Sequence, residues 1–158
     1  MQQNDLQFRL ARADDLPRIV EMLADDPLGA TRETYELPLP AEYLSAFATI
    51  DADPNNELVV ACEGDRIVGV LQITFIPNIT YRGHWRAQLE GVRIDPAVRS
   101  RGAGKAMVEW AIARARSRGC RLVQLTTDKR RPEALRFYES LGFMASHEGM
   151  KLDLTVAP

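Results

Sequence analysis

Hydrophobic and polar positions along the chain follow two periods, one typical of strands and one typical of helices. Strand-like segments bounded by turn residues fall at residues 8–12, 58–62, 67–76, 87–94 and 122–126, with one or two more within 143–154. Helical spacing predicts helices that begin near Asp14, Pro40, Gly102 and Pro132. A turn at residues 63–66 joins two of the strands as a hairpin. Residues 25–40, rich in proline and acidic side chains, are predicted to be irregular.

The order of these elements, β-α-α-β-β-β-α-β-α-β, predicts an α/β (α+β) fold. We expect a mixed, mainly antiparallel central sheet of six to seven strands, flanked by about four helices. The chain has 158 residues and shows no repeat or linker, so we expect a single domain over residues 1–158.

Composition narrows the class of protein. Hydrophobic residues make up 46% and charged residues 27% of the chain, as in globular proteins, which excludes a disordered chain. No apolar run is long enough to span a membrane and no signal peptide is recognisable, so no membrane partner is expected. Cys62 and Cys120 are too few for a disulfide framework and indicate reduced thiols of a cytoplasmic protein.

Charge is distributed unevenly along the chain. Residues 1–60 hold 12 acidic and 4 basic side chains, a net charge of −8, whereas residues 61–158 hold 10 and 16, a net charge of +6. A basic half often binds phosphates. The asymmetry therefore points to function if a phosphate motif lies in the second half, and otherwise reflects solvated helix faces.

One stretch of the second half has the pattern of a phosphate site. The strand at residues 87–94 leads through Gly102 and Gly104 into a helix, so several backbone N–H groups point at one place and the helix N-terminus adds positive potential. Arg99, Arg101 and Lys105 add charge. The pattern favours a diphosphate ligand over a helix start with incidental glycines.

Two common phosphate motifs do not fit this stretch. A P-loop requires glycine where Arg99 stands and serine or threonine where Ala106 stands. A dinucleotide-binding fingerprint requires a small residue in place of Met107.

The segment Arg99-Ser100-Arg101-Gly102-Ala103-Gly104 resembles the R/Q-x-x-G-x-G/A signature of the GNAT superfamily of acyl-CoA-dependent N-acyltransferases, which also follows a strand. Residues 128–143 resemble the later signature of that family, with Ala134, Tyr138 four residues on, and Gly142-Phe143 after the helix. The resemblance covers the whole chain in element order and residues 85–143 in motif.

This resemblance implies an N-acetyltransferase with acetyl-CoA as co-substrate, no metal, and a primary amine of a small molecule as acceptor. By position, the backbone of Val92 and Ile94, with Arg93 between them, would pair with the pantetheine arm like an added strand. The residues implied at the diphosphate are Arg99, Ser100, Arg101, Gly102, Ala103, Gly104 and Lys105. Family members often carry asparagine where this chain has Arg131, which would instead reach a CoA phosphate. A homodimer is common in the family.

In this family the N-terminal helical region builds much of the acceptor side. Here that region is acidic and would attract a cationic amine. Its acidic residues are Asp25, Asp26, Glu33, Glu36 and Glu42.

Direct attack on a thioester needs a neutral amine, a route for its proton, and a proton donor for the departing sulfur. Counting by two along the strand places Glu90 on the face of Val92 and Ile94. Glu90 is therefore a candidate base or water relay; the alternatives are an anchor for the substrate ammonium and an ion pair with Arg86 or Arg93. Gln88 shares this face, but an amide cannot act as a base.

The resemblance makes Tyr138 the candidate acid that protonates the CoA thiolate, with packing against Phe137 as the alternative. The histidines are isolated, and no spacing resembles a zinc site. The overall net charge of −2 argues against a nucleic-acid partner. Two other functions stay open: an acetyltransferase of proteins or peptides, and a non-catalytic acyl-CoA-binding sensor.

Overall fold

In the computed structural model, residues 6–156 are described and five strands form one sheet in the order β1-β2-β3-β4-β5. The strands are β1 (Leu6–Leu10), β2 (Asn56–Glu63), β3 (Arg66–Ile76), β4 (Trp85–Ile94) and β5 (Cys120–Leu125). Neighbouring strands are antiparallel except β4 and β5, which are parallel. The expected mixed, mainly antiparallel sheet is confirmed, whereas the expected six to seven strands are wrong.

The helices outnumber the four that were expected. They are α1 (Leu16–Ala24), α2 (Ala41–Ala52), the single turn α3 (Thr80–Gly83), α4 (Ala103–Ser117) and α5 (Pro132–Ser140). Short 3-10 turns add Ala13–Asp15, Gly29–Thr31 and Pro96–Arg101. Within residues 6–156, no helix combines the length and the apolar character needed to cross a bilayer.

The missing strands are those expected within residues 143–154. Met150, Leu152 and Leu154 alternate with polar residues there, yet they are 94%, 84% and 87% exposed. An alternating pattern forms a strand only when a neighbouring strand accepts its hydrogen bonds and covers its apolar face. No described strand pairs with this segment, so it forms turns and extended chain.

The chain separates into two compact units, Met1–Leu125 and Thr126–Pro158. The first unit contains the whole sheet and α1 to α4, and the second contains α5. The single domain over residues 1–158 stays a prediction.

In the first unit, opposite faces of the sheet carry different helices. On one face, Phe8 of β1 stacks on Trp110 of α4 with ring centroids 5.6 Å apart. A Cβ atom at Gly69 of β3 would lie 2.9 Å from the Ile94 side chain and 3.1 Å from Met107 of α4, so glycine permits this close packing. On the other face, Ile19 and Met22 of α1 pack with Val60 and Val70 of the sheet.

Asp95, directly after β4, connects the parts of this unit. Its carboxylate is largely buried and contacts Arg18 of α1 and Arg66 of β3, each at 2.6 Å. It also accepts the backbone N–H of Ala97 at 2.8 Å, which caps the 3-10 turn that follows. The Ala97 N–H and the neighbouring guanidinium groups hold the pKa of Asp95 below its ordinary value.

We expect Asp95→Asn to lower the free energy of unfolding by about 1–3 kcal/mol at neutral pH, because asparagine keeps the cap but loses two charged hydrogen bonds. A carboxylate with a depressed folded pKa stabilises the fold above its unfolded pKa, and this stabilisation is lost as the pH falls. The difference between wild type and variant should therefore shrink as the pH falls through about 4 and below.

Urea unfolding of both proteins at several pH values measures this difference. Asp65→Asn, in the exposed hairpin turn, is the matched control. A difference that is independent of pH would contradict the assignment of the stabilisation to the Asp95 charge.

Candidate active site

The turn between β4 and α4 ends on a glycine in a left-handed conformation. Gly102 has φ +81° and ψ +5°, a region in which side chains with a Cβ atom are strained. The Ala106 N–H donates to the Gly102 carbonyl at 3.0 Å. The N–H groups of Ala103, Gly104 and Lys105 therefore point out of the N-terminal end of α4, where the helix dipole is positive.

The basic side chains around this turn differ in how far they are neutralised. The Arg101 guanidinium pairs with Glu63 at 3.2 Å, and Lys105 lies 3.8 Å from Glu109. Arg99 donates through Nε to the Ile94 carbonyl at 3.0 Å, and no carboxylate of the described residues pairs with it. Its remaining guanidinium donors are available to an anion at the turn. Ser100 is exposed.

A cavity of about 290 Å³ lies between α1 and this turn. Arg18 and Met22 line it from α1, and Asp95, Ala97 and Arg99 line it from the turn. Arg99 therefore belongs to the turn that has the pattern of a phosphate site, and it also lines the cavity.

β4 has an open edge next to the turn. Its pairing with β5 runs from Trp85↔Cys120 to Leu89↔Leu125 and ends there. On that edge, none of the five strands pairs with residues 90–94. Backbone donors and acceptors on such an edge can bind an extended ligand as an added strand.

A β-bulge in β4 overturns the expected orientation of Glu90. Gln72 pairs with Glu90 and Val70 with Arg93, so β4 carries one extra residue, and Gly91 has φ +60°. Side chains that face one another across a ladder point to the same face, so Glu90 and Arg93 share a face while Ile94 points toward α4. The count by two was wrong because the bulge interrupts it.

Glu90 makes neither of the ion pairs considered for it. Arg93 pairs with Asp26 at 3.1 Å and donates to the Val92 carbonyl at 2.9 Å. Arg86 donates instead to the uncharged side chains of Gln124 and Thr80. Glu90 is exposed, and no cation of the described residues lies within ion-pair distance of its carboxylate.

Two of the five acidic residues expected on the acceptor side have structural partners. Besides pairing with Arg93, Asp26 accepts the N–H groups of Leu28 and Gly29 at 2.9 and 2.6 Å. Glu33 accepts the Tyr43 hydroxyl at 2.8 Å, and burial raises the pKa of that tyrosine. The exposed residues of the set are Asp25, Glu36 and Glu42.

In the second unit, Tyr138 lies on α5 and is half-buried. Its ring packs edge-on against Phe137 at 5.1 Å and Phe143 at 5.7 Å. Arg131 directly precedes α5. Nearby, hydrogen bonds from Arg130 hold the pKa of Asp128 well below its usual range.

Sequence reasoning missed a polar network on the Glu90 face of the sheet. The Asn56 side-chain oxygen accepts from Gln72 at 3.0 Å and from Thr74 at 2.7 Å, and Gln124 donates to Gln88 at 2.7 Å. The signal was present, because polar residues occupy every second position of β3 and β4 here. The members of this polar face are Asn56, Gln72, Thr74, Arg86, Gln88, Glu90 and Gln124.

The described histidines and cysteines are not arranged as a catalytic or metal site. His84 contacts the Tyr81 carbonyl, and His147 contacts Ser146 at 2.8 Å. Both cysteines are free thiols, and burial raises the pKa of Cys120. In the described part of the chain, no three histidine, cysteine or carboxylate side chains gather as metal ligands would.

Known proteins are similar to this chain in sequence and in fold. Residues 17–143 match the model of the acetyltransferase (GNAT) family. A glucosamine 6-phosphate N-acetyltransferase of Trypanosoma brucei brucei is 32% identical over 95% of this chain and 97% of its own length. An aminoalkylphosphonate N-acetyltransferase of Salmonella typhimurium is 27% identical over 66% and 68%.

A crystal structure from Bacillus halodurans, described as a transcriptional regulator, is 58% identical. The structural alignment covers 94% of this chain and 99% of that chain, with a TM-score of 0.92. The family match includes the Gly102 turn and Tyr138, and the relatives from Trypanosoma brucei brucei and Salmonella typhimurium are both N-acetyltransferases. The chain belongs to the GNAT family of acetyltransferases and is an acyltransferase.

Proposed function

We propose that this protein transfers the acetyl group of acetyl-CoA to a primary amine of a small molecule. One arrangement carries the proposal: the turn at Gly102 adjoins the open edge of β4, and Glu90 is exposed where β4 loses its partner strand. A diphosphate and an extended pantetheine arm need these two features side by side.

The residues at the turn fit the diphosphate of CoA. Gly102 gives the backbone its left-handed turn, the first N–H groups of α4 face the anion, and Arg99 supplies an unneutralised charge. The guanidinium groups of Arg93 and Arg101 are engaged by Asp26 and Glu63, so Arg101 would contribute through its backbone and Arg93 by holding Val92 and Ile94 at the open edge. Ser100, Ala103 and Lys105 complete the loop, and Arg131 is proposed at a CoA phosphate.

The open edge of β4 would hold the pantetheine arm. The N–H groups of Val92 and Ile94 are free of strand pairing on this edge and can pair with the amides of the arm, while the two carbonyls already accept from the Arg93 and Arg99 side chains. CoA supplies the thioester that the amine attacks. By holding the arm, β4 would orient the thioester along the strand.

Proton transfer completes the proposed reaction. The Glu90 carboxylate would accept a proton from the substrate ammonium, directly or through water, so that the neutral amine can attack, or it would hold that ammonium in place. The Tyr138 hydroxyl would donate a proton to the departing sulfur. Each group then performs a step for which its chemistry suits it, since a carboxylate can accept a proton and a phenol can donate one to the thiolate as it leaves.

The names of the relatives support a small acceptor. The two N-acetyltransferases named above act, by their names, on an amino sugar phosphate and on aminoalkylphosphonates. Screening thiol release from acetyl-CoA against amino sugars and their phosphates, aminophosphonates, polyamines, aminoglycosides, amino acids and peptides tests the proposal. Turnover of peptides alone would favour a protein acetyltransferase.

A separate observation supports a second candidate function, the binding of acyl-CoA without catalysis. The 58% identical protein is described as a transcriptional regulator, which suits a module that binds acyl-CoA without catalysis. Tight acetyl-CoA binding with no thiol release for any amine would select this function. A cytoplasmic location and a homodimer stay predictions.

We expect Gly104→Val to weaken acetyl-CoA binding by about tenfold or more, because a side chain at the N-terminus of α4 keeps the diphosphate away from the N–H groups. Gly104 is the sharper choice than Gly102, whose φ of +81° would strain any side chain. Helix propensity favours alanine or valine over glycine, so folding should be unaffected.

Isothermal titration calorimetry of Gly104→Ala and Gly104→Val measures the graded loss. Ala113→Val, at an exposed position in the middle of α4, is the matched control and should bind normally. Unchanged affinity in both glycine variants would rule out this turn as the diphosphate site.

Tyr138→Phe should lower kcat by about 10²–10⁴ with little change in acetyl-CoA affinity, because only the proton donor is removed. The ring stays, so its packing against Phe137 and Phe143 is kept. Single-turnover kinetics with acetyl-CoA saturating measures the change, and Phe137→Leu controls for packing. Wild-type turnover would leave Tyr138 with a packing role only.

Glu90→Gln distinguishes the two roles of the carboxylate. A base or relay predicts a lower kcat and loss of the acidic limb of the pH–rate profile, whereas an ammonium anchor predicts mainly a higher KM of the amine. Profiles are compared for amines of different pKa, because a limb that moves with the amine belongs to the substrate. Glu148→Gln, at an exposed glutamate, is the control. An unchanged kcat, KM and profile would remove Glu90 from the mechanism.

A further inference from the structure

A half-buried arginine lies on the polar face with neutral partners only. Arg86 of β4 donates to the Gln124 side-chain oxygen at 3.2 Å and to the Thr80 hydroxyl at 3.3 Å. No carboxylate of the described residues pairs with it, although Arg93 on the same strand has one. Both contacts are long, and a guanidinium has five N–H donors, so most of its capacity is unused.

The hydrogen bonds around Arg86 fix the direction of two amides. Arginine only donates, so Gln124 must present its oxygen to Arg86. The Gln124 amide nitrogen then donates to the Gln88 oxygen at 2.7 Å. Gln88 is left with its NH₂ group, whose nearest acceptor is the Leu89 carbonyl at 3.5 Å. Arg86 and Gln88 together form a surface of hydrogen-bond donors.

Glu90 continues this row along the same strand face. Arg86, Gln88 and Glu90 face Ile76, Thr74 and Gln72 across the ladder, so all three point the same way. The Arg86 guanidinium reaches Gln124, which is paired in register with Gln88, so it lies at the level of Gln88. Two residues of strand, about 7 Å, separate that level from Glu90.

We propose that the acceptor is an amine that also carries an oxyanion, with Arg86 and Gln88 binding the oxyanion and Glu90 receiving the ammonium. This inference rests on the proposed function. The shared chemistry is a phosphate, phosphonate or carboxylate within about 7 Å of the amine along the strand. A guanidinium binds such groups through charge-assisted hydrogen bonds, and the Gln88 amide adds a neutral donor.

Matched acceptors test the proposal, because one member of each pair carries an oxyanion and the other carries an uncharged group in its place. The pairs are glucosamine 6-phosphate with glucosamine, 2-aminoethylphosphonate with ethanolamine, and β-alanine with β-alaninamide. The wild type should acetylate the anionic member of at least one pair with a kcat/KM about tenfold or more above its partner. The pair with the largest ratio distinguishes a phosphorus oxyanion from a carboxylate.

Arg86→Gln should reduce this ratio by about 10–100-fold toward unity, and Arg86→Lys should restore part of it. A merely structural role would lower both members of a pair together and keep the ratio. Arg121→Gln is the control, because that arginine lies at the same end of the sheet over the Tyr81 ring. A ratio near one in the wild type, or one unchanged in Arg86→Gln, overturns the proposal.

A binding measurement separates this inference from the proposed function. Calorimetry with the anionic amines is done with CoA saturating, so that the diphosphate turn is filled. Binding that depends on Arg86 without any thiol release supports the oxyanion site and overturns amine acetylation. Acetylation of uncharged amines without any anionic preference supports the proposed function and overturns the oxyanion site. Neither binding nor turnover overturns both.

Discussion

The contacts of the Asp95 carboxylate hold the candidate site together. One buried group joins α1 through Arg18, β3 through Arg66 and the turn after β4 through Ala97. The turn continues β4 as far as Gly102 and the start of α4, so its position depends on this anchor. Two cations around a buried anion offset its desolvation, which a single exposed pair would not do. The Ala97 N–H and the two guanidinium groups lower the pKa of Asp95 and so favour its charged form.

β4 is the second constraint, because one strand serves three surfaces. Ile94 packs toward α4, the open edge offers backbone groups, and the row from Arg86 to Glu90 lies on the polar face. The bulge at Gly91 allows this division, since without the extra residue Glu90 and Ile94 would share a face. A glycine in the left-handed region thus separates the surface proposed for the acceptor from the core that supports the turn proposed for the diphosphate.

The sequence predicted most elements of the first unit, because its strands and helices are strongly periodic and end at glycine or proline. It could not reveal the bulge, since the residues on either side of Gly91 keep an alternating pattern that a regular strand also shows. It overestimated the strands because Leu152 and Leu154 alternate like a strand but lack a neighbour. The polar network was missed because Gln88 and Gln124 are 36 residues apart and meet only through the parallel pairing of β4 and β5.

The ion pairs seen in the fold also change how the uneven charge of the chain is interpreted. Four arginines lie on β4 and the 3-10 turn after it, and counting charges treats them alike. In the fold, Arg93 and Arg101 are neutralised by Asp26 and Glu63, whereas Arg86 and Arg99 have no acidic partner in the described chain. Burying an arginine without a carboxylate is unfavourable unless an anion arrives, which applies to the half-buried Arg86, whereas Arg99 is exposed and keeps free donors at the turn. Both positions therefore suit the negative charges that the proposals place there, the diphosphate at Arg99 and the oxyanion of the acceptor at Arg86, on the face of Glu90.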